Sequence, residues 1–108
     1  MDTMFTPKEI NRYVHDVAAA FNPERVILFG SYATGKSTED SDVDLLVVMN
    51  HSGRDVEQAF TIRRSINRNF PLDLVVRTPN EVRRRLENND TFLSTIYSEG
   101  KTLYERRA

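Results

Sequence analysis

Two apolar runs joined through a glycine–serine turn constrain this chain more than any other stretch. The run over residues 26–29 breaks at Gly30-Ser31, and ten residues separate Ser31 from Asp42-Val43-Asp44, which opens a second apolar run over residues 45–48. Side chains at positions i and i+2 of a strand project from the same face. If the two strands are neighbours, the turn lies close to Asp42 and Asp44. The spacing therefore predicts a place where a phosphate and a metal ion can meet.

A third aspartate follows in another apolar run. Asp73 stands second in the segment over residues 72–76, Leu-Asp-Leu-Val-Val. A carboxylate buried there without a partner would cost several kcal/mol. Asp73 is therefore expected to be exposed in a cleft, hydrogen-bonded or bound to a cation, and the alternative is an ordinary residue of an edge strand.

The remaining segments alternate between helix and strand signals. Thr6-Pro7-Lys8-Glu9 and Thr78-Pro79-Asn80-Glu81 are both capping-box starts. The patterns predict helices over about 7–21, 55–69, 79–88 and 91–99, a short helical turn after Ser31, and strands over 25–29, 42–49, 72–76 and 101–104. The last of these helices is expected to end at Gly100, which suits a helix C′ position.

Some side chains have predicted orientations that the structure can test. Val56, Phe60 and Phe92 are expected to point inward from their helices, together with Ala59, Ile62, Ile66, Leu93 and Ile96. His15 and His51 are expected to be solvated.

Composition restricts the broad class of protein. The 108 residues are enough for one domain, 1–108, with 39% hydrophobic and 29% charged residues, no cysteine and a formal net charge of −1. A near-neutral chain has no general attraction for a polyanion, so neither direct nucleic-acid binding nor a membrane role is expected. Because no apolar targeting or membrane-spanning segment stands out, we expect a cytoplasmic protein.

The segments FGSYATG, SDVDLLVV, LDLVV and SEGKTLYE together resemble the minimal nucleotidyltransferase family of the DNA polymerase beta superfamily. The resemblance covers nearly the whole chain. It implies an α/β (α+β) nucleotidyltransferase fold, with a small mixed β-sheet and helices packed against it. It also implies that Gly30 and Ser31 contact a triphosphate, that Asp42 and Asp44 hold divalent metal, and that Asp73 shares a metal and helps to deprotonate the attacking hydroxyl.

The resemblance further implies a reaction and a partner. ATP would donate AMP with the help of two Mg²⁺ ions, and the acceptor would be a tyrosine of a HEPN-domain toxin, which makes this chain an antitoxin. One position departs from the family pattern, because Thr34 stands where an arginine is frequent; Lys36 is a nearby replacement for its charge.

Two other hypotheses stay open. The chain could be a catalytic subunit that modifies a small molecule such as an aminoglycoside, or a non-catalytic antitoxin that acts by binding alone. The arginines at 83–85 and Arg106-Arg107 are candidate partner-binding residues, and homo- and hetero-oligomers are both compatible with the sequence.

Overall fold

The computed structural model describes residues 6–107, and in them five helices and four strands follow one another along the chain. The elements are α1 (Pro7–Phe21), β1 (Arg25–Phe29), α2 (Ser31–Thr34), β2 (Val43–Val48), α3 (Asp55–Ser65), β3 (Leu72–Arg77), α4 (Pro79–Glu87), α5 (Thr91–Glu99) and β4 (Lys101–Glu105). Within this range, no helix is both long and apolar enough to cross a bilayer.

The strands form one mixed sheet in the order β3-β2-β1-β4. β1 pairs antiparallel with β2 and with β4, whereas β2 and β3 are parallel. The parallel pair is possible because α3 lies between its strands in the chain and returns it to the same end of the sheet. The predicted α/β class with a small mixed sheet is confirmed.

Helices cover both faces of the sheet, which explains why β1 and β2 are apolar without alternation. On one face, the larger core is formed with α1 and α3; its members include Val14, Val17, Val26, Leu45, Val47, Ile62 and Val76. On the other face, which we call the α5 face, a smaller core contains Ile27, Leu46, Val48, Val82, Leu93 and Ile96. Strand alternation places Asp44 and Asp73 on the α5 face.

The helix starts are formed by the predicted caps. Thr6 accepts a hydrogen bond from the backbone N–H of Glu9 at 3.2 Å, and the Glu9 carboxylate accepts one from the Thr6 N–H at 3.0 Å. Thr78 and Glu81 repeat this reciprocal pair at the start of α4. These starts are predictable because the capping residues bond to a backbone only three positions away.

Three predicted inward side chains are exposed instead. Val56 is 62% exposed, Phe60 is 60% exposed and Phe92 is 46% exposed. The apolar pattern of α3 is wider than the surface that the sheet can cover, so burial is confined to the stripe centred on Ala59 and Ile62. The helix also ends at Ser65, four residues before the predicted end.

Two further positions are decided by tertiary packing, and at the first of them the prediction is wrong. The His51 side chain is only 4% exposed, and its Nε2 lies 2.7 Å from Oδ1 of Asp55, so the loop histidine is tied to the start of α3. At the second position, α5 ends before Gly100 as predicted, and Gly100 has extended backbone with φ −75°. A Cβ at Gly100 would lie 2.5 Å from the Ile96 carbonyl oxygen and 2.9 Å from that of Leu28, so close approach between α5 and β1 is what requires glycine there.

Candidate functional site

The pairing of three strands brings the sequence-predicted residues to one end of the sheet. Asp44 is the register partner of Phe29 in β1 and of Asp73 in β3. Asp42 lies one residue before β2 and is exposed, and strand alternation places it on the same side as Asp44. Asp73 is also exposed, near the start of an edge strand. The three predicted carboxylates therefore share one face beside the end of β1.

Gly30 provides the close approach between the turn and these carboxylates. Its backbone has φ 73° and ψ −153°, a conformation that is nearly exclusive to glycine. A Cβ built on Gly30 would lie 3.1 Å from Cγ of Asp44 and would collide with the Oδ2 atom. Both the backbone conformation and the neighbouring carboxylate therefore require glycine at this position.

The turn continues directly into the single-turn helix α2, which Ser31 begins. The Gly30 carbonyl oxygen accepts hydrogen bonds from the backbone N–H groups of Ala33 at 3.0 Å and Thr34 at 3.2 Å. Gly35, at φ 78°, ends the helix in a left-handed conformation. Ser31 thus stands at a helix start immediately after the glycine that touches Asp44.

Thr34 and Lys36 do not occupy equivalent places. The Thr34 hydroxyl donates to the Gly30 carbonyl oxygen at 3.4 Å, so this side chain folds back on the turn. Lys36 is exposed in the segment that follows α2. The prediction that Lys36 supplies the charge of the missing arginine stays untested by these contacts.

A cavity of about 460 Å³ opens beside Gly30 on the α5 face. β1 and the turn contribute Phe29, Gly30 and Thr34, and the opposite wall consists of Thr91, Phe92, Thr95, Ile96, Glu99 and Gly100. The sequence reasoning missed this wall. Its signal in the sequence is a phenylalanine between threonines on α5, a pattern that predicts an inward core residue instead.

Residues 9–108 match the family model described as "Polymerase beta, Nucleotidyltransferase". The chain belongs to this family. A relative from Methanocaldococcus jannaschii, provisionally named a protein adenylyltransferase, is 27% identical over 103 residues, which cover 90% of this chain and 96% of the relative. The family and this relative identify the chain as an enzyme, a nucleotidyltransferase.

Solved structures agree with the fold of this nucleotidyltransferase. A provisionally named nucleotidyltransferase from Sulfolobus solfataricus has a TM-score of 0.63 at 24% identity, over 92% of this chain and 79% of that one. A toxin–antitoxin structure with AMP-PNP has a TM-score of 0.57 at 21% identity, over 90% of this chain and 74% of that one. These likenesses confirm the predicted nucleotidyltransferase fold.

The electrostatics of the candidate site centre on Asp44. The pKa of the Asp44 carboxyl is raised from 3.8 to about 6, chiefly by burial and in smaller part by the nearby carboxylates of Asp73 and Asp42. Each cause disfavours the charged form of Asp44. A cation among the three carboxylates would offset the repulsion and favour the charged form.

The donor set fits a hard divalent cation, although the carboxylates are not preassembled around one. Within residues 6–107, no three His, Cys, Asp or Glu side chains converge as the ligands of a metal ion. Mutual repulsion keeps neighbouring carboxylates apart when no cation lies between them. Oxygen ligands from Asp42, Asp44 and Asp73 are nevertheless the type that Mg²⁺ takes. A bound cation would also lower the raised pKa of Asp44, because it would stabilise the charged carboxylate.

Proposed function

We propose that this nucleotidyltransferase is a magnesium-dependent protein adenylyltransferase that transfers AMP from ATP to a tyrosine hydroxyl of a partner HEPN toxin, and so acts as the antitoxin of a pair. The observation that carries the proposal is the position of Asp44. Its carboxylate lies against Gly30 in the turn and beside Asp73 in register. A triphosphate held at the turn would therefore meet the carboxylates directly.

The comparisons support the choice of reaction and partner. The M. jannaschii relative, which is named for protein adenylyl transfer, matches nearly its full length to this chain. A toxin–antitoxin structure with AMP-PNP has the same fold. Together with the resemblance to the minimal family, these names favour ATP as the donor and a toxin as the acceptor.

The proposed reaction is an in-line displacement at the α-phosphorus. A bond forms between the acceptor oxygen and the α-phosphorus, the bond to the β-phosphate oxygen breaks, and pyrophosphate leaves. Gly30 and Ser31 would position the triphosphate, since backbone N–H groups at a helix start attract anions. Asp42, Asp44 and Asp73 would hold magnesium, which when bound neutralises charge on the phosphates. The hydroxyl proton would pass to Asp73, the exposed carboxylate of the edge strand.

The acceptor must reach this end of the sheet from outside. Asp42 and Asp73 are both exposed there, so the hydroxyl of an approaching tyrosine would meet carboxylates. The basic residues considered for partner binding lie on α4 and at the end of the chain. Arg83 donates to the Asn80 side chain at 2.8 Å, and Arg85 lies 3.4 Å from Asp90, so part of this basic surface is engaged within the chain.

The experiment uses α-labelled ATP, magnesium and an extract of the source cell. We expect the parent chain to label one protein, whose tyrosine carries AMP by mass spectrometry, and an Asp42→Ala/Asp44→Ala variant to lose this labelling by at least about 100-fold. That magnitude follows because even the second-shell partners of a metal contribute about 10–100-fold. Asp16→Ala, at an exposed aspartate on α1, is the matched control and should label normally.

Other outcomes identify the alternatives. A labelled small product in place of a labelled protein would indicate an enzyme that modifies small molecules. Toxin neutralisation that survives the double substitution, with no labelled product, would indicate an antitoxin that acts by binding. Either result would overturn the proposal.

A further inference from the structure

The cavity beside Gly30 has the size and position of a ligand subsite. Its volume of about 460 Å³ lies within the range of about 300–1,000 Å³ that is typical of small-molecule sites. Gly30 forms part of its wall and also touches the Asp44 carboxylate. The cavity is therefore continuous with the place where the phosphates are proposed to bind.

The cavity presents an aromatic ring to solvent. Phe92 remains 46% exposed on the wall formed by α5. Its ring packs edge-to-face with Phe29, with centroids 5.8 Å apart and an interplanar angle of 89°. Phe29 is itself held in β1 next to Asp44, so the exposed ring has a fixed relation to the carboxylates. A fixed and exposed ring is a stacking surface for a flat ligand group.

The chemistry of the wall favours a base over a phosphate. Phe29, Phe92 and Ile96 give the cavity an apolar surface. Among the described residues that line it, the charged one is Glu99, and its carboxylate would repel a triphosphate. The same carboxylate and the Thr95 hydroxyl can bond to the amino groups and ring nitrogens of a nucleobase.

We propose that this cavity binds the base of the donor nucleotide, stacked on Phe92, while the phosphates extend past Gly30 to the aspartates. The inference rests on the proposed function, because it concerns the donor of that reaction. It adds the group that the α5 wall recognises and assigns α5 a part in nucleotide binding. The acceptor tyrosine is the competing occupant, because its ring is also flat.

The test compares ATP with inorganic tripolyphosphate, which has the phosphates but no base. Calorimetric titration in magnesium buffer is performed on the parent chain, Phe92→Ala, Phe92→Trp and Phe60→Ala. Phe60 on α3 is 60% exposed and is absent from the cavity wall, so it is the matched control for loss of an exposed phenylalanine.

We expect Phe92→Ala to bind ATP about tenfold more weakly, on the scale of one lost base–aromatic stack, and to bind tripolyphosphate within about twofold of the parent. Phe92→Trp should bind ATP as the parent does, because it retains an aromatic face. Phe60→Ala should bind both ligands as the parent does. Thermal unfolding of each variant identifies any loss of folded chain, and Phe92→Trp tests the stack even if Phe92→Ala unfolds.

Several results would overturn the inference. Equal ATP affinity in Phe92→Ala and the parent would do so, as would parallel losses of ATP and tripolyphosphate in a folded variant. A higher KM for the acceptor protein at unchanged ATP affinity would assign the cavity to the acceptor instead. If the parent chain transfers no AMP but Phe92→Ala still loses ATP binding selectively, the proposed function is overturned and this inference is supported. The two can therefore fail separately.

Discussion

At the scale of single residues, Gly30 and Gly35 allow a controlled experiment, because both have a positive φ at the two ends of α2. Gly30 lies against the Asp44 carboxylate, whereas a Cβ at Gly35 would meet nothing within 4 Å. The two glycines therefore separate backbone strain from a collision at the site.

We expect Gly30→Ala to abolish AMP transfer, because the new Cβ would displace the Asp44 carboxylate. We expect Gly35→Ala to retain the activity and to lower the free energy of unfolding by about 1–2 kcal/mol, the cost of a left-handed alanine. Transfer assays and urea unfolding of both variants measure the two effects. Normal transfer by a folded Gly30→Ala would contradict the proposed geometry.

At the scale of secondary-structure elements, local sequence signals predict where the helices begin. They do not predict which side chains become buried, because burial depends on tertiary packing. The starts of α1 and α4 were predictable because their caps bond within three residues. The orientations of Val56 and Phe60 were not, since an apolar pattern on a helix does not state how much sheet surface is available. His51 was missed for the same reason, because its burial depends on where the loop meets α3.

The candidate site divides in the same way. The turn at Gly30 and the aspartates at 42 and 44 could be found from their spacing alone. The register of Asp44 beside Asp73 is a property of strand order, which the sequence supplied only through a family resemblance. The cavity wall needed α5 to be placed against the end of β1, and the contact at Gly100 that fixes this placement cannot be recognised from a glycine alone.

The start of α5 should respond to pH. Asp90 caps this helix, and the hydrogen bond from the Leu93 backbone N–H lowers the pKa of the Asp90 carboxyl below 3.8. A lowered pKa gives stability that is present above the unfolded pKa and is lost as pH falls through the folded pKa. Asp90→Asn keeps a good cap but removes the charge.

We therefore expect the parent to exceed Asp90→Asn in unfolding free energy at pH 7, and the difference to shrink as the pH is lowered below 3.8. Urea unfolding of both chains at several pH values measures it. A difference that is constant with pH, or that grows in acid, would show that the cap charge does not stabilise α5.

At the scale of the whole molecule, the sheet is covered on both faces, yet the α5 face leaves Asp42 and Asp73 exposed at one end. Like charges at one open end destabilise the folded chain, and unfolding separates them. A ligand that brings a cation to this end should therefore bind the folded form selectively and stabilise all of it. The sheet joins every strand in one hydrogen-bonded unit, so stabilisation at this end should resist global unfolding.

We expect magnesium and ATP together to raise the free energy of unfolding by about 2.7 kcal/mol when free ATP is 100 times its dissociation constant, as linkage requires for a ligand of the folded state. Excess EDTA should remove most of this gain, because the phosphates would then face three uncompensated carboxylates. In Asp42→Ala/Asp44→Ala the gain should no longer depend on magnesium. Thermal and urea unfolding of the parent, the double variant and Asp16→Ala, each with and without EDTA, provide the comparison. Equal stabilisation of the parent by ATP with and without the metal would show that these aspartates bind no magnesium with the nucleotide, and the carboxylate cluster would then need another role.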